Sequence, residues 1–287
     1  MELDIAKIQP LIDGALAEDI GSGDVTSICT VAADASGLAL VMAKQEGVLA
    51  GIAVARQVLL TVDPGLRVEA QKNDGDMLGL GQVVLTAQGN TRAILAAERT
   101  MLNFLQHLSG VATAAAVFVA EIKGTRAKIL DTRKTTPGLR ALEKYAVACG
   151  GGHNHRMGLY DMVLIKDNHI EAAGTVTAAI ERVRKAQGAK PLEVEVQNLP
   201  QLEEAIAAEA DIIMLDNMTP ELMERACRMA WASPARDQGK LKLEASGNVT
   251  LENVRRVAEC GVDFISIGAI THSAPAFDFS LRLKPLG

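Results

Sequence analysis

Aromatic side chains are scarce: one Trp, two Tyr and five Phe make up 3% of 287 residues. Single-stranded nucleic acid is bound by stacking bases on such rings and tracking the backbone with excess base. With 29 basic against 35 acidic residues and a formal charge of −6, the chain has neither means, which excludes a general nucleic-acid partner. Cysteine is sparse too. Cys29, Cys149, Cys227 and Cys260 are widely separated and form no CxxC pair, so reduced thiols in a cytoplasmic protein are expected. The opening Met1-Glu2-Leu3-Asp4 has no basic or apolar stretch, and no signal peptide is expected. The uncharged runs 47–55 and 110–120 are too short for a bilayer, so no membrane partner is expected. No P-loop pattern occurs, and the glycine pairs at 21–23 and 79–81 lack the third glycine of a dinucleotide fingerprint.

What is present is an ordinary globular balance, 48% hydrophobic and 22% charged. The length suits one large domain or two modest ones. The first hundred residues mix elements. Helices are expected at 8–17 and 51–62, strands at 38–43, 67–71 and 82–87, and turns at 18–24 and 73–76. Apolar residues at Ile94, Leu95, Met101, Leu102, Leu105 and Leu108 give 91–108 a helical period, and 111–122 continues as a second apolar helix. From residue 127 the texture becomes regular. Strand-like runs at 128–130, 162–165, 192–196, 212–215, 241–243 and 264–267 alternate with helical segments at 139–148, 175–186, 201–208, 220–230 and 251–259. Thr219-Pro220-Glu221 supplies a cap, a first-turn proline and an acid. Such alternation predicts a parallel sheet, as a barrel or an open doubly wound sheet.

Polar or glycine-containing residues follow each of the six strands. They are Asp131-Thr132-Arg133-Lys134, Lys166-Asp167-Asn168-His169, Glu195 to Gln197, Asp216-Asn217, Ser246-Gly247-Asn248 and Gly268-Ala269. A barrel converges these ends on one face, and their even spread over six strands favours it over a single crevice. Eight basic residues but only three acids lie between Arg126 and Lys166, an excess of five positive charges inside an acidic protein. That segment calls for an anion, and guanidinium forks beside lysines suit planar carboxylates. The two glycine-bearing ends read as a phosphate cradle or as plain turns. Glu195 and Asp216 suit magnesium or sugar hydroxyls, and equally an ion pair with the lysines. His153, His155 and His169 lack zinc-ligand spacing, so hydrogen bonding is the expected role of His155. Arg99 has Leu95, Ala96, Leu102 and Asn103 at helical spacing, and therefore no acidic partner there. It faces solvent or reaches another site.

Together these residues resemble the quinolinate phosphoribosyltransferase family. The resemblance rests on residues 131–138 (DTRKTTPG), His155-Arg156, residues 158–169 (GLYDMVLIKDNH), Glu193-Val194-Glu195, Leu215-Asp216-Asn217, residues 244–248 (EASGN) and residues 268–274 (GAITHSA). Residues 18–26 and 98–110 fit upstream. It implies an α/β protein: an N-terminal α/β sandwich at 1–109, with the tail 275–287 returning to it, and an incomplete barrel of about six parallel strands at 110–274. It implies phosphoribosyl transfer from phosphoribosyl pyrophosphate to quinolinate with decarboxylation, giving nicotinate mononucleotide in NAD synthesis. Arg99, Thr132, Arg133, Lys134, His155, Arg156 and Lys166 would hold quinolinate. Lys134, Lys166, Glu195, Asp216, Ser246 to Asn248, Gly268 and Ala269 would hold phosphoribosyl pyrophosphate. Lys134, Lys166, Glu195 and Asp216 would carry the chemistry. Magnesium would meet Glu195 and Asp216 largely through the pyrophosphate, and no organic cofactor is implied. A homodimer is implied, with Arg99 entering the partner's site. The rival readings are a sibling transferase of the molybdate-transport-associated type and a non-catalytic anion-binding protein.

Overall fold

The computed structural model describes residues 3–187, 190–234 and 239–286. In chain order, the first elements are α1 (Ile5–Ile20), α2 (Val25–Thr30), β1 (Ser36–Ala43), β2 (Gly47–Val48), α3 (Ile52–Val62), β3 (Arg67–Ala70), β4 (Met77–Leu78), β5 (Val83–Asn90) and α4 (Thr91–Glu121). Then come β6 (Lys128–Leu130), α5 (Arg140–Cys149), β7 (Val163–Ile165), α6 (Asp167–Ala173), α7 (Val176–Gln187), β8 (Leu192–Val196), α8 (Leu199–Ala207), β9 (Ile212–Asp216), α9 (Pro220–Trp231), β10 (Lys242–Ser246), a helix at Val254–Glu259, β11 (Phe264–Ser266), a short helix at Ala269–His272 and β12 (Phe279–Leu286).

The chain forms two compact units that are not consecutive stretches. One comprises the described residues of Met1–Ala116, Thr136–Gly151 and Ile270–Gly287; the other comprises Val117–Thr135 and Gly152–Ala269. In the first unit, β12, β1, β5 and β3 form an antiparallel sheet in that order. Ala39, Val41 and Ala43 of β1 alternate into the core with Leu85 and Ala87 of β5, and the register shifts beyond Val41. The terminal strand β12 pairs along all of β1, from Ser36 opposite Leu286 to Ala43 opposite Phe279.

Two apolar helices are expected at 91–122, and the structure has one, α4. Gly110 does not break it. A Cβ there would lie 2.2 Å from the Pro275 carbonyl oxygen, so glycine is needed for close backbone approach. Residues 100–120 carry no Asp, Glu, Lys or Arg, which corrects the shorter uncharged runs read above. By length and composition α4 is long and apolar enough to cross a membrane. Met101, Leu105, Leu108, Val111, Ala112 and Ala115 are buried along it, the stripe of a core helix.

The second unit is a six-stranded parallel sheet in the order β6-β11-β10-β9-β8-β7. Strands β6 and β7 are its two ends and do not pair, so the barrel is incomplete. Register levels the carboxyl ends: Ser246 lies opposite both Asp216 and Ser266, and Ser266 opposite Leu130. Ile129, Val194, Ile213, Leu215, Leu243, Ala245 and Ile265 are buried on the face of the sheet opposite Glu195, Met214, Ser246 and Ser266. Strand β10 runs to Ser246, three residues beyond the expected strand.

Candidate active site

The levelled strand ends surround a cavity of about 600 Å³ in the second unit. After β6, Asp131 is fully buried and anchors two stretches of chain. Its Oδ1 accepts the His155 backbone N–H at 2.9 Å and its Oδ2 accepts Asn154 Nδ2 at 2.6 Å. That brings His155 and Arg156 to the cavity wall beside Thr132, Arg133 and Lys134. Thr132 Oγ1 accepts the Lys134 N–H at 2.9 Å and tightens the basic loop.

Arg156 is buried, and its Nη1 donates to the Met162 carbonyl at 3.1 Å. Burial and then the neighbouring charge of Arg133 pull its pKa below the usual guanidinium value. The acids Glu193, Asp161 and Glu195 act on it in the opposite sense. From β7, Lys166 forms an ion pair with Glu195 of β8. The polar residues after Lys166 are the start of α6, where His169 Nδ1 accepts the Lys166 backbone N–H at 2.9 Å. His169 is thus a capping residue.

Asp216 ends β9 and Asn217 follows it, and Ser246 ends β10 with Gly247 and Asn248 after it. Asn217 (φ 52°), Gly247 (φ 94°) and Asn248 (φ 52°) adopt left-handed backbone, and Asn248 Nδ2 donates to Asn217 Oδ1 at 3.1 Å. A Cβ on Gly247 would sit 2.1 Å from Asn217 Oδ1. Backbone of this kind turns N–H groups into a concavity suited to phosphate.

Of the expected residues, Thr132, Arg133, Lys134, His155, Arg156, Lys166, Glu195, Asp216, Ser246, Gly247 and Asn248 line the cavity. Gly268 and Ala269 stand just beyond Ser266, which lines it, and are outside the lining themselves. Arg99 is exposed on α4 in the other unit. The residues not anticipated are Asp167, Ser266 and the buried acids Glu193 and Glu244. A strand period of two puts Glu193 on the face of Glu195, so the motif itself carried the signal. Glu193 and Glu244 have pKa values raised well above the carboxylate range by burial first, then by the like charge of Glu195 on Glu193 and of Glu193 on Glu244. A separate hollow of about 340 Å³ beside β7 is lined mainly by alanine, valine and leucine.

The chain matches two family models, "Quinolinate phosphoribosyl transferase, N-terminal domain" over residues 24–109 and "Quinolinate phosphoribosyl transferase, C-terminal domain" over 111–282. It is 45% identical over 274 residues to the nicotinate-nucleotide pyrophosphorylase [carboxylating] of Mycobacterium leprae (strain TN), covering 94% of each chain. It is 43% identical over 276 residues to a probable enzyme of that name from Bacillus subtilis (strain 168), covering 96% of this chain and 93% of that one. Among solved structures it is similar to NadC from Streptococcus pyogenes, with a TM-score of 0.94, 41% identity and full coverage of both chains.

Proposed function

Because the chain belongs to the quinolinate phosphoribosyltransferase family and is an enzyme of the carboxylating nicotinate-nucleotide pyrophosphorylase type, we propose how its cavity performs that reaction. The substrates are quinolinate, a pyridine with two adjacent carboxylates, and magnesium-bound phosphoribosyl pyrophosphate. The products are nicotinate mononucleotide, pyrophosphate and carbon dioxide, in NAD synthesis. The sibling transferase and the non-catalytic anion binder are not favoured by these relatives.

The observation that carries the reading is the pairing of Arg133 with Arg156, beside Lys134 and Lys166, in one cavity. A planar dicarboxylate is an anion that two neighbouring guanidinium groups suit. Thr132 and the ammonium groups of Lys134 and Lys166 complete its surroundings, and the two lysines also face the pyrophosphate. Ser246, Gly247 and Asn248 receive the ribose phosphate, with Gly268 and Ala269 bordering them. Glu195 and Asp216 engage ribose hydroxyls and stabilise positive charge as it develops on the sugar. Glu195 holds Lys166 in the mouth.

The ring nitrogen attacks the anomeric carbon, and the bond to pyrophosphate breaks with its electron pair. The resulting pyridinium draws in the electron pair of the neighbouring C–CO2 bond. Carbon dioxide leaves, and the ring carbon takes a proton from solvent. No covalent nucleophile and no organic cofactor are needed, and positioning supplies much of the rate. Glu195 and Asp216 suit magnesium. Magnesium would keep waters and phosphate oxygens among its ligands. When bound, magnesium neutralises charge on the departing pyrophosphate. Arg99, exposed and without an acidic partner at helical spacing, completes the partner's site in a cytoplasmic homodimer.

Carbon dioxide and nucleotide release are measured with quinolinate, phosphoribosyl pyrophosphate and magnesium, with nicotinate as the control. Turnover that requires quinolinate is expected. Turnover of nicotinate alone would overturn the assignment of two carboxylates to the two arginines.

A further inference from the structure

Between Arg156 and Lys166, two of the cations that line the cavity, the chain makes an excursion to the surface that the chemistry above does not use. Residues 157–162 leave the wall after Arg156 and lead into β7 at Val163. Apolar packing contributes little to the shape of this loop, because Leu159 and Tyr160 at its tip are 74% and 72% exposed. Polar bonds close it instead. Asp161 Oδ2 accepts the Met157 backbone N–H at 2.6 Å, and Oδ1 accepts the Gly158 backbone N–H at 2.9 Å. One carboxylate thus ties the end of the loop to its beginning. The turn is tight enough that a Cβ on Gly158 would lie 2.5 Å from the Tyr160 ring. Burial works to raise the Asp161 pKa, yet the Gly158 and Met157 bonds and then the charge of Arg156 hold it below the usual carboxylate value. The acid is therefore ionised at neutral pH, and both of its oxygens accept.

The second closure runs through Arg156 itself. Its Nη1 donates to the Met162 carbonyl at 3.1 Å, one residue past Asp161. A guanidinium is a planar fork, so one fixed acceptor constrains where its remaining N–H groups point. That acceptor is a backbone carbonyl, and its position is set by the course of the loop. Asp161 does not line the cavity, but it fixes that course. We infer that Asp161 is a positioning residue for Arg156: by closing the loop it places the Met162 carbonyl, and through that carbonyl it aims the guanidinium at a substrate carboxylate. The inference rests on Arg156 binding quinolinate as proposed above.

Steady-state kinetics on wild type, Asp161→Ala and Asp161→Asn test it, with amide hydrogen exchange at Met157 and Gly158 as a direct view of the loop. Wild type separates the two readings: no turnover of quinolinate overturns the functional reading, whereas turnover with an unaffected variant overturns only this one. Asp161→Ala removes both acceptors. Its exchange at Met157 and Gly158 should be faster than in wild type. Its quinolinate KM should rise about tenfold, while kcat and the phosphoribosyl pyrophosphate KM stay within about twofold. Asp161→Asn keeps one acceptor oxygen, and its quinolinate KM should rise about threefold. A quinolinate KM within about twofold of wild type in Asp161→Ala, or equal rises in both KM values, would overturn the positioning role. So would a fall in kcat alone, which is what a mere loss of folded protein gives. If the alanine variant does not fold, the asparagine variant decides, and an unchanged quinolinate KM there sinks the idea.

Discussion

Lys134 shows how little packing a functional residue needs. Its side chain is exposed at the cavity rim, so Lys134→Ala removes charge and almost no buried surface. Turnover should fall by about 10²–10³, with stability changed by no more than about 0.5 kcal/mol. Steady-state kinetics beside a thermal melt check both, and near wild-type turnover would remove Lys134 from the site. The buried acids behave in the opposite way. Burial raises the folded-state pKa of both Glu193 and Glu244 to about 8. Between the unfolded carboxyl value and about 8, the folded state keeps protons that the unfolded state has lost. Their contribution to stability is therefore complete at low pH and is lost as pH rises through that window. The melting temperature should fall from pH 6 to pH 9, and fall less in Glu193→Gln. A steeper decline in the variant would refute the assignment.

At the scale of elements, strand ends carry the site and helices carry few of its groups. Gly247→Ala tests this directly. The backbone there has φ 94°, and the new Cβ would meet Asn217 Oδ1 at 2.1 Å, so the cradle must distort. The KM for phosphoribosyl pyrophosphate should rise about tenfold or more, with quinolinate binding by calorimetry unchanged. Equal loss of both would mean that the loop does more than receive phosphate. Elements of strong period were legible from sequence, including α7, α9 and all six barrel strands. The short ones were not. Helix α2 has six residues and depends on Asp24, which accepts the Ser27 N–H. Helix α6 depends on a histidine cap that no propensity scale anticipates. Two expected helices are one in α4, and Gly110 within it is a site of close backbone approach.

At the scale of the whole molecule, the proposed exchange of Arg99 between subunits makes a distinctive prediction. Neither an Arg99→Ala nor a Lys166→Ala homodimer should have an intact site. A heterodimer of the two has one, and should recover up to about half of the wild-type activity, since positioning groups act only where all are present. Assay of purified heterodimers decides it, and no recovery would argue against Arg99 acting in trans. By itself, the sequence determined the alternation of strands and helices, the cationic segment and the residues that follow each strand, because periodicity and local charge are properties of neighbours along the chain. Only the tertiary structure decided that Thr136–Gly151 clusters with the first unit, that β12 pairs with β1, and that His155 lies beside Glu193 and Glu244. Those outcomes depend on contacts between residues tens to hundreds of positions apart. No local rule specifies such contacts, and the burial that drives them exists only once the fold has closed.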